Sequence, residues 1–236
     1  MATNNATNTS NPVTVAQGGT GDASVTAYAV LCGGTTSTGA VQSVSGVGTS
    51  GQVLTSNGAS ALPTWQAGAS PAWNFIRTAT ASSSASLTFT SSDITSTYTE
   101  YVFILSNISN ASGTVVLNMD WSTNNGSGYL GSAFQSGENS NSYNSATLAN
   151  TNSTTTCPLT KSLTNTGVLV NGILYVTLPA SAVATFTGQL FLNDTTSAYV
   201  DTFGMNSGTT TINNVRFSFS SGNITAGTIS LYGIKM

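Results

Sequence analysis

The chain has 236 residues, of which 5% are charged, with four basic residues, seven acidic ones, no histidine and a net charge of -3. Serine, threonine and asparagine make up about two residues in five, whereas roughly a quarter of an average soluble protein is charged. A surface helix wets its outer face with Glu, Lys and Arg, so a helical bundle is excluded; Arg77, Lys161, Arg216 and Lys235 are too scattered to hold phosphates, which argues against a nucleic-acid partner.

Residues 1–17 are rich in Asn, Thr and Ala and cannot bury enough apolar area to offset chain ordering, so an extended peptide that orders on a partner is expected. This stretch has neither a basic n-region nor an apolar h-region, so no secretory leader is expected, and no run of 18 apolar residues suggests membrane insertion. Residues 18–69 carry short apolar steps between glycines: Tyr28, Val30, Leu31, Val41, Val44, Val47, Val53, Leu54, Leu62 and Trp65. These are too short and too widely spaced to enclose a core in one chain. Three chains wound together would bury them, with glycine allowing close backbone approach, so an intertwined trimeric shaft is expected.

Residues 70–236 change to the period of two expected for strands. Tyr101, Phe103 and Leu105 alternate with Val102, Ile104 and Ser106, and Val115, Leu117, Met119 and Trp121 with Val116, Asn118 and Asp120. Similar runs recur in WNFIRTA, ASLTFTS, GILYVTLP, ATFTGQLFLND, INNVRFSFS and GTISLYGIK, separated by turn clusters such as Asn124-Asn125-Gly126 and Ser221-Gly222-Asn223. The pattern predicts an all-β fold with an antiparallel β-sandwich of jelly-roll type over 70–236. Trp65 and Trp73 are expected to seal the shaft to this head.

The blocks GGTG, YAVLCGG, GQVLTSNG and PTWQ occur in order between residues 18 and 66. This segment resembles the Gly-rich shaft of bacteriophage tail-fibre and related virion appendage proteins, and the GTISLYGIK ending resembles the last strand of the β-sandwich heads that often follow it. The resemblance implies a homotrimer whose N-terminus docks on another virion protein of the tail, baseplate or capsid, and whose heads face the host. It implies location in the virion after synthesis in the host cytoplasm.

Catalysis and cofactors have little to draw on. Without histidine no Ser-His-Asp or Cys-His arrangement is possible, and Cys32 and Cys157 are read as free thiols with no metal partners. Of the acids, Asp194 and Asp201 flank a short loop and form the best candidate carboxylate pair, although Asp at such ends usually caps turns. The run Asp120–Gly126 offers oxygen ligands but lacks the acids of a calcium loop, and Asn125-Gly126 reads as a tight turn. No enzyme, metal or cofactor is therefore expected. Recognition by surface shape remains. The polar stretch from Gly126 to Thr156 is expected to be a long loop whose isolated rings Tyr129, Phe134 and Tyr143 are candidate contacts to a bacterial surface glycan. A purely structural connector without a receptor, and a polysaccharide-degrading tailspike, are the alternatives.

Overall fold

The computed structural model describes residues 13–15, 18–69, 71–130, 134–142, 145–151, 156–178, 182–194, 199–206 and 211–235, with 134–142, 145–151 and 206 described by their backbone. Every regular element among them longer than a single residue is a strand, so the chain is all-β, and it divides into two compact units, Met1–Ala69 and Ser70–Met236.

The first unit is built from two small antiparallel hairpins: β1 (Leu31–Cys32) with β2 (Gln42–Ser43), and β3 (Gln52–Thr55) with β4 (Thr64–Ala67). The β3–β4 loop is pinned by Asn57, whose Nδ2 donates to Leu62 O at 2.7 Å and Thr64 Oγ1 at 3.2 Å. Two apolar side chains find shelter inside this one chain, against the expectation that none could. Val44 is buried, and Trp65 donates Nε1–H to Gly46 O at 3.2 Å while its ring lies on Gly48. Gly48 has φ +76° and a Cβ there would sit 2.8 Å from Trp65 Cδ2, so the ring can close only over glycine. Val30 is half-buried, whereas Tyr28, Leu31, Val53 and Leu54 stay exposed, Tyr28 at 95%.

The second unit packs two antiparallel sheets. The larger has eight strands in the order β10-β9-β13-β12-β11-β7-β15-β5: β10 (Ser145–Thr151), β9 (Phe134–Ser142), β13 (Tyr199–Asn206), β12 (Thr185–Leu192), β11 (Leu169–Thr177), β7 (Glu100–Asn110), β15 (Ile224–Ile234) and β5 (Trp73–Thr80). The smaller has three, β6 (Leu87–Phe89), β14 (Asn214–Phe219) and β8 (Leu117–Ser122). Beyond β8 the chain at 157–163 adds a ragged extra edge, with Met119 N–H donating to Cys157 O, Leu159 N–H to Leu117 O and Leu163 N–H to Val115 O.

Alternation decides which side of each strand is dry. Tyr101, Phe103 and Leu105 point into the core, as their spacing predicts, and Phe103 meets Phe89 and Phe217 of the small sheet with ring centroids 5.2 Å apart in each case. Trp121 packs edge-on to Phe186 at 6.1 Å. Such rings supply most of the inter-sheet burial, each removing about 200 Å² from water. At β8 the alternation is only half right: Asn118 and Asp120 are buried too, Asp120 beneath the Arg216 side chain that pairs with it. The stretch after Gly126 is not the long loop expected of it, because its backbone forms the β9–β10 hairpin paired onto β13. An outlying hairpin is held by main-chain bonds and needs no apolar stripe, so Ser, Asn and Gly suffice and no period of two announces it.

Candidate functional site

The inner face of the large sheet is spent on the core, and its outer face is where unspent chemistry lies. Register places Phe203 (β13), Thr187 (β12), Tyr175 (β11), Val102 (β7), Tyr232 (β15) and Phe75 (β5) in one row running across the strands. The adjacent row is Asp201, Gln189, Ile173, Ile104, Ser230 and Thr78. At the β5 end the Trp73 ring contacts both Tyr175 (centroids 6.3 Å) and Tyr232 (5.9 Å), and Phe75 contacts Tyr232 at 5.5 Å. These rings make a continuous ledge over Val102, which is fully buried beneath it. Trp73, Phe75, Tyr175, Phe191, Phe203 and Met205 of this face are each 37–61% exposed. A contiguous apolar patch of this kind on a chain otherwise clad in hydroxyls marks an interaction surface.

Between Tyr175 and Phe203 the ledge opens into a groove of about 400 Å³, lined also by Ile173, Thr187, Gly188, Gln189 and Asp201. Gly188 faces the core side and is required there, since a Cβ would strike the Leu174 side chain and lie 2.5 Å from Ile173 O. The side chains of Gln189 and Thr187 make no hydrogen bond to a described residue, so their donors and acceptors stay open to a ligand. Asp201 accepts a short hydrogen bond from the Tyr199 hydroxyl on one carboxylate oxygen. That bond, together with partial desolvation and the nearby carboxylate charge, holds the Tyr199 phenol above its ordinary range. Among the described residues Asp201 is the one charged residue lining the groove.

The structure puts the residues singled out from sequence in different places. Tyr129 is half-buried and stacked on the Arg216 guanidinium, 3.6 Å from its centroid, with its hydroxyl donating to Asn214 Oδ1 at 3.3 Å. Arg216 in turn donates from Nη2 and Nε to Asp120 Oδ2, at 2.7 and 3.2 Å. Tyr129 thus covers a half-buried ion pair on the smaller sheet, a packing role. Phe134 opens β9 and its side chain lies outside the described residues, as does all of Tyr143.

Asp194 is nine-tenths buried and accepts from Thr164 N (3.1 Å), Thr164 Oγ1 (2.9 Å) and Asn165 Nδ2 (3.0 Å), so it anchors the chain entering β11, whereas Asp201 lies on the outer face of β13. Asn125 and Gly126 take left-handed φ values of 56° and 85°, the tight turn expected of them. Ser122 Oγ and Asn124 Oδ1 accept the amides of that turn, from Gly126 at 3.0 Å and Gly128 at 2.9 Å. Among the described residues no three of His, Cys, Asp and Glu come together as a metal site.

Trp65 and Trp73 each find packing partners within their own unit, Trp65 on Gly46 and Gly48, Trp73 on Tyr175 and Tyr232. Sequence reasoning missed the groove itself. Tyr175 lies in a run read simply as a strand, and the strand carrying Phe203 and Asp201 has too little apolar contrast to stand out. Comparison of the chain with protein-family models, with curated proteins and with solved structures gives no match.

Proposed function

We propose that this chain is a bacteriophage fibre protein. In this reading the N-terminal peptide docks on another virion protein, the glycine-punctuated unit winds with two sister copies, and the C-terminal jelly-roll head is turned toward the host surface. The fibre blocks between residues 18 and 66 support it, as do the exposed Tyr28, Leu31, Val47, Val53 and Leu54, which a single chain leaves wet and a trimer would cover. The observation that carries the attachment role is the outer face of the eight-stranded sheet, where half-exposed rings border hydroxyl and amide groups with unspent hydrogen-bonding capacity. Surfaces of this composition suit sugars, whose C–H faces pack on rings and whose hydroxyls pair with amides.

Two measurements on the full chain test the proposal. Sedimentation equilibrium is expected to give three times the monomer mass; a monomer at micromolar concentration would end the fibre reading. The fluorescently labelled chain is expected to adsorb to a subset of bacterial strains in a panel. Trimeric protein that adsorbs to none of them would favour a connector inside the virion, with the Trp73–Phe75 ledge covered by a neighbouring virion protein.

A further inference from the structure

Resting on the reading of this unit as an attachment head, we propose that the groove between Tyr175 and Phe203 binds an uncharged polysaccharide, laid across the strands with sugar rings against both aromatic walls. Three observations lead there. Tyr175 and Phe203 stand two strands apart in the same register row, with the small Thr187 between them. Two strand spacings set the two aromatic residues about 10 Å apart across the strands, room for a pyranose seated over Thr187. The groove's 400 Å³ falls at the lower end of small-ligand sites, enough for a short oligosaccharide stretch.

The second observation is hydrogen-bonding capacity. Gln189 and Thr187 have polar groups unspent on described residues, and Asp201 has a carboxylate oxygen that receives no hydrogen bond from one. An apolar occupant such as a lipid tail would strip water from all of these without replacing its hydrogen bonds. Sugar hydroxyls both donate and accept, so one ligand class satisfies the amide, the hydroxyl and the carboxylate together.

Charge is the third. Among the described residues Asp201 is the one charged group in the lining, and Glu100 lies elsewhere on the same sheet face, beside Thr177 and Ile234 in the register. Arg77 and Arg216 are held by Asp93 and Asp120. A uronate, sialylated or phosphorylated polymer would meet a carboxylate without a cation to balance it, whereas a neutral chain loses nothing.

The test is retardation of the full-length protein in native gels cast with neutral polysaccharides (dextran, mannan, galactan, β-glucan) or with polygalacturonate and alginate. Retardation is expected in at least one neutral polymer and in neither acidic one. Tyr175→Ala and Phe203→Ala should each weaken the effective dissociation constant about tenfold or more, and Gln189→Ala less, with the oligomeric mass unchanged and the thermal midpoint lowered by only a few degrees, so that every variant is folded at the temperature of the gel.

Three results would overturn the proposal: retardation by acidic polymers in preference to neutral ones, retardation by neutral polymers that survives both ring deletions, or none in any neutral polymer. A fall in oligomeric mass on Phe203→Ala would show the face covered by a sister chain and would equally exclude the glycan. In all of these cases adsorption of the wild-type trimer to cells could persist, leaving the fibre reading intact. Loss of both trimer and adsorption would remove that reading itself.

Discussion

Phe103 and Phe203 belong to the same sheet and differ in the face they occupy, so truncating each to alanine measures the two faces with one chemical change. Phe103 is fully buried between Phe89 and Phe217. Burying such a ring removes about 200 Å² from water, which at about 25 cal/mol/Å² corresponds to ~5 kcal/mol; alanine keeps part of that, and losses of about 3–5 kcal/mol are usual for a core Phe. Phe203 is 49% exposed. Its remaining burial of about 100 Å² sets an upper bound of ~2.5 kcal/mol, and the alanine contribution with a compact denatured state lowers the expected loss to about 1 kcal/mol. Two identical substitutions should therefore differ by about 2 kcal/mol or more. Urea unfolding of the full-length variants, followed by tryptophan fluorescence at one protein concentration and extrapolated linearly, gives both values. Equal losses would refute the reasoning, because they would mean that the outer face is as buried in the assembled protein as the core is.

Side chains already placed set further expected outcomes. Iodoacetamide should label the native chain once, at the half-buried Cys32, and a second time only after denaturation exposes the fully buried Cys157, as mass spectrometry would show. Burial, with a smaller contribution from the Asp120 charge, pushes the Cys157 thiol up, and burial pushes up the Tyr101 hydroxyl. The folded chain keeps these protons where the unfolded chain has lost them, so their contribution is intact below about pH 8.5. It is lost as pH rises through the ordinary thiol and phenol ranges, at up to about 1.4 kcal/mol per pH unit for each group; Cys157→Ala should flatten the first part of that fall in pH-dependent denaturation. Arg216→Ala takes the cation from the buried Asp120 carboxylate; because the arginine side chain is itself a third exposed and its removal admits water, the cost should be about 1–3 kcal/mol in the same denaturation assay, with Arg216→Lys intermediate.

The strand architecture of the second unit was legible because its core strands have one wet and one dry side. The Tyr101-Phe103-Leu105 alternation is read correctly from spacing alone. The hairpin of β9 and β10 was not, since Ser, Asn and Gly joined through main-chain bonds leave no hydrophobic period. The groove was hidden for a related reason. Along β13 the outward Tyr199, Asp201, Phe203 and Met205 are as apolar as the inward Val200, Thr202 and Gly204, so the strand shows none of the contrast that sequence reading relies on. Tyr129 stood out as a lone ring in a polar stretch because its partner, Arg216, lies 87 positions later along the chain. In the first unit the sheltering of Trp65 depends on a glycine 17 positions earlier, a pairing that only the folded backbone brings together.

The two arginines of the second unit are each clasped by an aspartate, Arg77 by Asp93 and Arg216 by Asp120, and Asp194 is enclosed by Thr164 and Asn165. With the two ion pairs cancelled, Glu100, Glu138, Lys161, Asp194, Asp201 and Lys235 set the net charge of this unit, two positive against four negative. Colloidal repulsion is therefore almost switched off, and the particle is kept dispersed by hydration of its alcohol and carboxamide coat. Lyotropic salts, which compete for that hydration, should bring it out of solution early, while sodium chloride across the span from fresh water to seawater should leave it indifferent.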